Sequence, residues 1–447
     1  MWAFLLSLLV GLLAAVVFAW KVKTAVESYR APDKTAEAML AVAGVPSDVE
    51  AVLFDLWAYA TGTYVDDSVS TPRPDRDYSA FSPVAGSRAF GIEGLMITAD
   101  ASRAESGWRI VTGAFAINGD VTNAAILLSP DMAIERVWEL DEAATFGSLV
   151  PQPHYRKFVH GYEYLDDGSF LFTFDGGVSL QRFDACGRRM WSAPGYYSHS
   201  VNADEDGRTA WTIGENEIVQ LSTEDGAVLR KITVQDLADA NPDIDIFQVR
   251  RLFDNDLGGN SRDTDGNWLP DPHHLNEVDP LPTALSGRFS DLGFRPGDLL
   301  ISARSSNLLF VLDPATLEVK WWRMGATQRQ HDPDWEADGT ISVFNNRMSR
   351  DYSEIVAIDP HTMGKRVLVD GQDRDFYSRI RGKHQILPSG NVLVTSAQQG
   401  IAFEATPEGE TAFEIVNFKP GDDAVNYVLS EVVWLPSDKV RVVPCSS

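Results

Sequence analysis

The sequence predicts an all-β protein, a six-bladed β-propeller that follows an N-terminal transmembrane or signal helix. Two observations lead to this prediction. First, one unit recurs along the chain, and each copy has the pattern of four short strands separated by Gly, Asp, Asn and Pro. A unit of this kind with a period of roughly 40 to 55 residues is typical of a propeller blade. Second, five of the eight histidines stand at the start of these units: His160, His199, His274, His331 and His384.

The unit begins with an alternating strand and a tight turn, of which Asp167-Gly168 and Asp338-Gly339 are examples. A strongly apolar strand follows, then a third strand and a fourth that often carries tryptophan. Residues 90–140 are expected to supply a further unit without the histidine, which makes six blades. The tail, residues 426–443, is expected to form a strand pair that helps close the ring, because closure removes exposed sheet edges.

The N-terminal residues predict a membrane segment. Residues 2–20 carry no charge, and 19 such residues can span a bilayer as a helix. A signal peptide cut after residue 19 is the alternative, but the segment has no basic start, so we favour an uncleaved anchor. We therefore expect an anchor or signal peptide over residues 1–24, a helical and linker segment over 25–86, and a catalytic propeller over 87–447.

Charge and cysteine content restrict the partners. The formal net charge is −26, which argues against a nucleic-acid partner, because phosphate binding needs a basic face. Cys186 and Cys445 are the two cysteines. A disulfide between them would tie the tail to the second blade and fit an oxidising compartment. Two separate thiols are the alternative.

Four residues at the predicted channel mouth suggest a chemical site. In a propeller the innermost strand of each blade lines the central channel, so a residue at its start faces the mouth. His199, His274, Arg304 and His331 would supply one permanently charged planar group and three imidazoles that titrate near neutrality. Such a set suits a tetrahedral oxyanion, since the arginine and two imidazoles can hold oxygens while the third attacks or protonates.

The remaining histidines have simpler interpretations. His160 and His384, taken separately, are expected to be structural residues at strand starts. His154, His273 and His361 are expected on the surface or in loops.

A metal site is a second functional interpretation of the imidazoles, but Arg304 would repel a metal ion beside it. Residues 263–267 resemble part of a calcium loop without the rest of the pattern and are interpreted as a solvated loop. We therefore predict no metal. No other cofactor is predicted either, since no Gly-rich phosphate loop is present.

At these residues the chain resembles the arylsulfotransferase family, the bacterial aryl sulfate sulfotransferases, which are six-bladed propellers. The resemblance covers roughly residues 155–420 and includes a helical insertion downstream of His199. Its best segments are His274-Leu275-Asn276, Ser302-Ala303-Arg304, and Gln330-His331 with Trp335.

The resemblance implies that His331 accepts a sulfuryl group as a transient sulfohistidine. It implies that His274, Arg304 and His199 bind the sulfate oxygens and assist the leaving group. The substrates would be a small aryl sulfate donor and a phenolic acceptor, used in a ping-pong reaction without a nucleotide donor. His331 must be neutral to attack, which Arg304 would favour by lowering its pKa.

The family also implies a propeller outside the cytoplasm, and the helix predicted from the apolar N-terminal segment would hold it at the membrane. Lys21 and Lys23 follow the apolar segment, and the positive-inside rule alone would place the propeller in the cytoplasm. This conflict is left open.

Several details are not settled by the resemblance. Asp332 or Asp334 could orient the ring of the nucleophile, in the manner of the third member of a triad. The family's Phe-Asp-Asn-Gly is replaced here by residues 344–347, Phe-Asn-Asn-Arg, and residues 30–90 leave no room for an N-terminal β-sandwich. The oligomeric state is not predicted.

Two alternative functions are considered. One is a non-catalytic propeller that binds an anionic ligand or partner protein at the channel mouth. The other is a hydrolase that releases sulfate to water.

Overall fold

The computed structural model describes residues 69–72, 74–140, 158–174, 179–248, 271–348, 350–422 and 424–445. The predicted membrane segment, Lys21, Lys23, His154 and the loop at 263–267 lie outside these ranges. Within them, no helix is both long enough and apolar enough to cross a membrane. The propeller is one compact unit formed by residues 66–247 and 273–447.

Six antiparallel sheets arranged as blades confirm the all-β six-bladed prediction. Ahead of the blades lie β1 (Val69–Pro72), β2 (Ser82–Pro83), β3 (Ile92–Glu93) and β4 (Leu95–Ala99). Blade 1 contains β5 (Trp108–Ile117), β6 (Asp120–Leu128) and β7 (Ile134–Glu139). Blade 2 contains β8 (Val159–Tyr164), β9 (Phe170–Phe174), β10 (Ser179–Phe183) and β11 (Arg189–Pro194). Blade 3 contains β12 (Ser198–Ala203), β13 (Thr209–Ile213), β14 (Glu217–Ser222) and β15 (Val228–Thr233).

The second half of the chain repeats this order. Blade 4 contains β16 (Leu275–Pro280), β17 (Leu299–Ala303), β18 (Leu308–Leu312) and β19 (Val319–Met324). Blade 5 contains β20 (His331–Trp335), β21 (Ile341–Asn345), β22 (Glu354–Ile358) and β23 (Lys365–Asp370). Blade 6 contains β24 (Lys383–Ile386), β25 (Val392–Ser396), β26 (Ile401–Ala405) and β27 (Thr411–Asn417). Then come β28 (Val425–Tyr427) and β29 (Leu429–Leu435).

Short helices connect some strands. The α-helices are α1 (Val234–Ala240) and α2 (Thr283–Ser286). The 3-10 helices are Ser87–Phe90, Asp245–Gln248, Ser290–Leu292, Arg304–Ser306 and Ala397–Gln399.

The ring is closed by strands from both ends of the propeller, which corrects one expectation. Residues 90–140 do not form a blade alone, because β4 pairs with β27 at the outer edge of blade 6, and β29 is the innermost strand of blade 1. The tail therefore helps close the ring as predicted, but with one strand, while β28 pairs with β1.

Most middle strands of the blades are buried on both faces, and outer strands are not. Every residue of β17 and β18 is buried, as their largely apolar sequences predict. In β23, by contrast, Lys365, Arg366 and Val367 are exposed. Adjacent blades pack face to face through large apolar side chains. Phe170, for example, is fully buried in a cluster shared by blades 1 and 2.

Cys186 and Cys445 form a disulfide with a Cα–Cα distance of 5.6 Å, which confirms the disulfide alternative. Cys186 lies in the turn between β10 and β11, so the bond ties the segment after β29 to blade 2. Arg136 supports this segment by donating hydrogen bonds to Ala185 O and Val443 O, both at 2.6 Å.

Breaking the disulfide should lower stability. We expect Cys186→Ser and Cys445→Ser each to lower the free energy of unfolding by about 2–4 kcal/mol, because the unfolded chain loses a constraint that closes a long loop. The double variant should cost about the same as either single variant, since both changes remove one bond. Denaturant titration of the three variants measures this. Additive losses would contradict a shared disulfide.

Candidate active site

Bulges at the start of the innermost strands position the channel residues. The ladder registers of β8, β12, β16 and β20 all shift near their starts. His199, His274 and Asp332 at these points have positive φ angles of 68°, 52° and 53°. Residues other than glycine adopt this backbone conformation at a cost in free energy, and such strain is concentrated at functional sites. A bulge also changes the direction of a side chain, here toward the channel.

Three of the histidines form a contiguous group. His199 Nε2 and His274 Nε2 are 3.1 Å apart, within hydrogen-bond distance. The backbone N–H of His199 donates to His160 Nδ1 at 3.2 Å, and Ser198 Oγ lies 2.7 Å from His199 Nδ1. His160 is therefore part of the channel group and does more than begin a strand.

Arg304 follows β17 at the start of a 3-10 helix, beside His274. Its backbone N–H donates to His274 O at 3.0 Å, and Ser305 N donates to His273 O at 2.8 Å. These bonds join the end of β17 to the start of β16. His273, expected on the surface or in a loop, lies in the loop before β16 but is buried, with 1% of its surface exposed.

His331 is 5% exposed and is held by an amide. Its Nδ1 lies 2.7 Å from Asn346 Oδ1. Asn346 Nδ2 donates to Ser378 O at 2.8 Å and Arg381 O at 2.5 Å, which fixes the amide orientation. The amide oxygen therefore faces His331, so we assign the imidazole proton to Nδ1. Nε2 is then the basic nitrogen, and it accepts a 3.2 Å hydrogen bond from Arg381 N.

Burial and neighbouring cations keep these imidazoles neutral. Burial is the largest cause that lowers the pKa of His331 and of His199 well below the usual value of 6.5. The charge of Arg304 contributes to both shifts. The pKa of His160 is lowered in the same way, by burial first and then by Arg381. At neutral pH His160, His199 and His331 are therefore uncharged, and they stand near the guanidinium of Arg304.

The structure brings the four predicted site residues together. His199 Nε2 is within hydrogen-bond distance of His274 Nε2, and the guanidinium of Arg304 is close enough to lower the pKa of both His199 and His331. A narrow cavity of about 10 Å³ lies among the same side chains and is lined by His160, His199, His331, Arg381 and Lys383, among others.

Neither aspartate proposed to orient the nucleophile contacts its ring. Asp332 Oδ1 lies 2.7 Å from Lys383 Nζ, and Asp332 Oδ2 lies 3.0 Å from His384 Nδ1. Asn346 performs the orienting role instead, because the extra residues of the bulge turn Asp332 away from His331.

His384 does not join the ring of channel histidines. Its Nε2 lies 2.7 Å from Ser342 Oγ in blade 5, and its side chain is fully buried. β24 pairs with β25 without a register shift, so the second residue of the strand faces the neighbouring blade. This agrees with the structural interpretation of His384.

Below the histidines the channel becomes acidic. Lys383 Nζ lies 3.0 Å from Glu277 Oε2 and 2.7 Å from Asp332 Oδ1, and so links blades 4, 5 and 6 across the channel. Further along, burial and mutual repulsion raise the pKa of Glu163 to about 8, and burial likewise raises the pKa of Glu431 to about 8.

Within the described residues, one group of side chains has metal-ligand spacing: Asp332, Asp334 and His384, with ligand atoms within 4.8 Å of one another. Both nitrogens of His384 already have partners, and Lys383 occupies the other oxygen of Asp332. This group therefore fits a hydrogen-bonded network better than a metal centre.

Sequence reasoning missed Asn346, Arg381 and Lys383. Asn346 had a signal, because it occupies the asparagine position of the family's Phe-Asp-Asn-Gly segment, although the residues around it differ. No sequence signal pointed to Arg381 or Lys383, since both precede His384, which does not face the site.

The fold and the site define a propeller whose channel carries a group of histidines near an arginine, an arrangement suited to an oxyanion. The family model described as arylsulfotransferase (ASST) matches residues 161–418, more than half of the chain. The chain therefore belongs to the arylsulfotransferase family.

The fold is also similar to solved structures at low identity. A protein of unknown function from Bacteroides caccae is 12% identical with a TM-score of 0.45, covering 73% of this chain and 98% of that one. A streptogramin B lyase structure is 12% identical with a TM-score of 0.40, covering 78% and 99%. No curated protein matches the chain in sequence. Similarities at this level say nothing about activity.

Nuclear magnetic resonance can test the assignment of the His331 proton. At pH 7 we expect the ¹⁵N shifts of the His331 ring to show a neutral imidazole protonated on Nδ1, because Asn346 Oδ1 accepts that proton. His331→Gln identifies the signal, and Asn346→Ala should shift it toward the other tautomer. A ring that is charged at pH 7, or protonated on Nε2 in the unaltered protein, would refute the assignment.

Proposed function

We propose that this protein transfers a sulfuryl group from a phenolic sulfate ester to a phenol, with His331 as the covalent carrier. Membership of the arylsulfotransferase family supports the reaction class. The observation that carries the mechanism is the contact of His331 Nδ1 with Asn346, which leaves Nε2 as a basic nitrogen in a neutral ring.

In the first half-reaction, Nε2 of His331 attacks sulfur, the bond from sulfur to the phenolic oxygen breaks, and sulfohistidine forms. The weak bond from Arg381 N to Nε2 must open first. Arg304 and His274 hold the sulfuryl oxygens, and an imidazole N–H of His199 or His274 donates a hydrogen bond to the departing phenolate, which takes its proton from water. Sulfuryl transfer resembles phosphoryl transfer, so positioning and cationic donors supply most of the catalysis.

In the second half-reaction a phenol gives up its proton to water, and its oxygen attacks the sulfur of sulfohistidine. The ester forms, the bond from nitrogen to sulfur breaks, and His331 returns to its neutral state. Water in place of the phenol would give the hydrolase alternative, so the product made in the presence of a phenol separates the two.

The propeller is proposed to act outside the cytoplasm, anchored to the membrane by residues 2–20. The disulfide between Cys186 and Cys445 supports an oxidising compartment. A non-catalytic propeller would account for the anion-binding groups, but it gives no reason for the fixed tautomer of His331.

Mass spectrometry tests the carrier. After mixing with p-nitrophenyl sulfate at neutral to alkaline pH, we expect one sulfuryl mass on the peptide that contains His331, discharged by added phenol as a phenyl ester. His331→Ala should lose the adduct and at least ~1000-fold in rate while retaining the fold, and Arg304→Gln should lose ~100–1000-fold. His361→Ala changes an exposed histidine and serves as the control. No adduct and no nitrophenol release with several aryl esters would favour the binding protein.

The rate of sulfohistidine formation should be independent of pH from about 6.5 upward, where an ordinary histidine would still be titrating. The reason is that burial lowers the pKa of His331. The reactive neutral form therefore persists below pH 6.5 and is lost only in more acidic solution. Stopped-flow release of nitrophenol in a single turnover measures this. An acidic limb at or above pH 6.5 would contradict a neutral buried nucleophile.

A further inference from the structure

The innermost strands β12, β16 and β20 are each interrupted close to the site histidine that they carry. In β12 the register passes from Ser198 directly to Val201, so His199 falls within the skipped residues. β16 and β20 have similar interruptions next to His274 and His331. A residue in a bulge is not held by the ladder of its own sheet, so its position depends on contacts from elsewhere.

A series of hydrogen-bonded side chains crosses the channel just below these histidines. Asn202 Nδ2 donates to Glu277 Oε1 at 2.7 Å and so joins blade 3 to blade 4. Lys383 Nζ, from blade 6, lies 3.0 Å from Glu277 Oε2 and 2.7 Å from Asp332 Oδ1 of blade 5. Asp332 Oδ2 in turn accepts a 2.5 Å hydrogen bond from the backbone N–H of His384. We call Asn202, Glu277, Lys383 and Asp332 the polar layer.

The polar layer is attached to the short segments that hold the site histidines. Asn202 follows His199 by three residues, and Asp332 directly follows His331. Glu277 stands three residues after the site histidine of blade 4. The two carboxylates and the lysine of the layer also line the narrow cavity among the histidines. Movement of the layer would therefore move the imidazoles.

Stability alone does not account for charges at this depth. The side chains of Lys383, Glu277 and Asp332 are 16%, 3% and 7% exposed. Burial opposes the charge of Lys383, but Asp332 and Glu277 raise its pKa well above the usual value, so the ammonium stays charged. Buried ion pairs add little net stability compared with apolar side chains, because desolvation offsets most of the attraction. A fully paired buried network can instead impose one arrangement on the elements that carry it.

The backbone at the bulges requires such an external restraint. His199, His274 and Asp332 have positive φ angles. Strain of this kind persists only where the surrounding structure fixes the residue. Because the ladders are interrupted at these points, the polar layer is the contact that joins the strained segments of blades 3, 4 and 5 to one another.

We propose that Lys383 is a positioning residue of the sulfuryl centre, whose ammonium group joins blades 4, 5 and 6 through the polar layer and thereby sets the distances between His199, His274 and His331. It does not act on sulfur itself. A misplacement of about 1 Å can cost ~100-fold in rate, so such a restraint affects catalysis from outside the reacting groups. The expected effect on rate rests on the proposed function, but the arrangement of the histidines can be measured without it.

Nuclear magnetic resonance of the ¹⁵N-labelled protein tests the arrangement. The ring signals of His199, His274 and His331 are assigned with single glutamine variants. We expect Lys383→Met to shift all three sets of signals, because the 3.1 Å contact between His199 Nε2 and His274 Nε2 depends on the layer. Lys383→Arg can donate to both carboxylates and should retain most of the original shifts. Unchanged ring signals in a folded Lys383→Met protein would overturn the proposal.

Single-turnover kinetics with p-nitrophenyl sulfate separate positioning from substrate binding. Lys383→Met should lower the rate constant of sulfohistidine formation by ~10-fold or more, while the ester concentration that gives half the maximal rate changes less than ~2-fold. Lys383→Arg should recover most of the rate. An unchanged rate constant with a much higher half-saturating concentration would mean that the ammonium binds the ester, and positioning would be wrong. If the unaltered protein turns over no ester, the proposed function fails, and the resonance comparison alone decides the role of Lys383.

Lys320 provides a matched control on β19, the outermost strand of blade 4. Its Nζ lies 2.8 Å from Asp298 Oδ2 and 3.2 Å from Asp313 Oδ2, and its side chain is 10% exposed. Lys320→Met should lower the midpoint of thermal unfolding about as much as Lys383→Met, yet leave the ring signals and the rate unchanged. Equal changes in both variants would show general destabilisation and contradict the proposal.

Glu277→Gln decides the matter if Lys383→Met does not fold. It removes one ion pair of the ammonium and keeps an oxygen that can accept from Asn202. We expect shifted ring signals for His199 and His274 and a several-fold lower rate. A folded Glu277→Gln protein with the original signals and rate would refute the positioning role.

Discussion

The pairing of β29 with β5 is the constraint on which the rest of the structure depends. This pairing makes blade 1 complete on the channel side, while β4 adds a further strand to the outside of blade 6. Once the ring is closed, the starts of the innermost strands must meet at one end of one channel. His160, His199 and His331 come from blades 2, 3 and 5, and only closure sets the distances between them.

Convergence at the axis also determines the chemistry, because it removes water from groups that would otherwise be charged. Burial, more than any single neighbour, keeps His199 and His331 neutral. Arg304 remains charged among them and supplies the cation that an anion requires. Farther along, burial favours the protonated form of Glu163 and Glu431. The ammonium of Lys383 stands between the two regions and interacts with both.

The repeating part of the fold could be predicted from the sequence, since each blade carries its own alternation and turns. The closure could not, because β4 and β29 have ordinary strand patterns and their partners lie far away in the chain. The site histidines were predictable from their register, and His384 shows the limit of that argument. Whether a residue at this position faces the channel depends on a bulge in the strand. β24 has no bulge, and the sequence of β24 does not reveal this. Asn346 reaches His331 across the sheet, so spacing along the chain does not reveal the contact.

The position of β29 in the chain also affects how the protein folds. The ribosome makes this strand after all the other strands of the six blades, so during synthesis β5 exposes an unpaired edge on the channel side of blade 1. The propeller can close only after residues 429–435 have emerged. In a nascent chain at this stage, the unpaired edge of β5 can pair with a strand of a second chain. Folding therefore depends on how long that edge stays unpaired before residues 429–435 reach it.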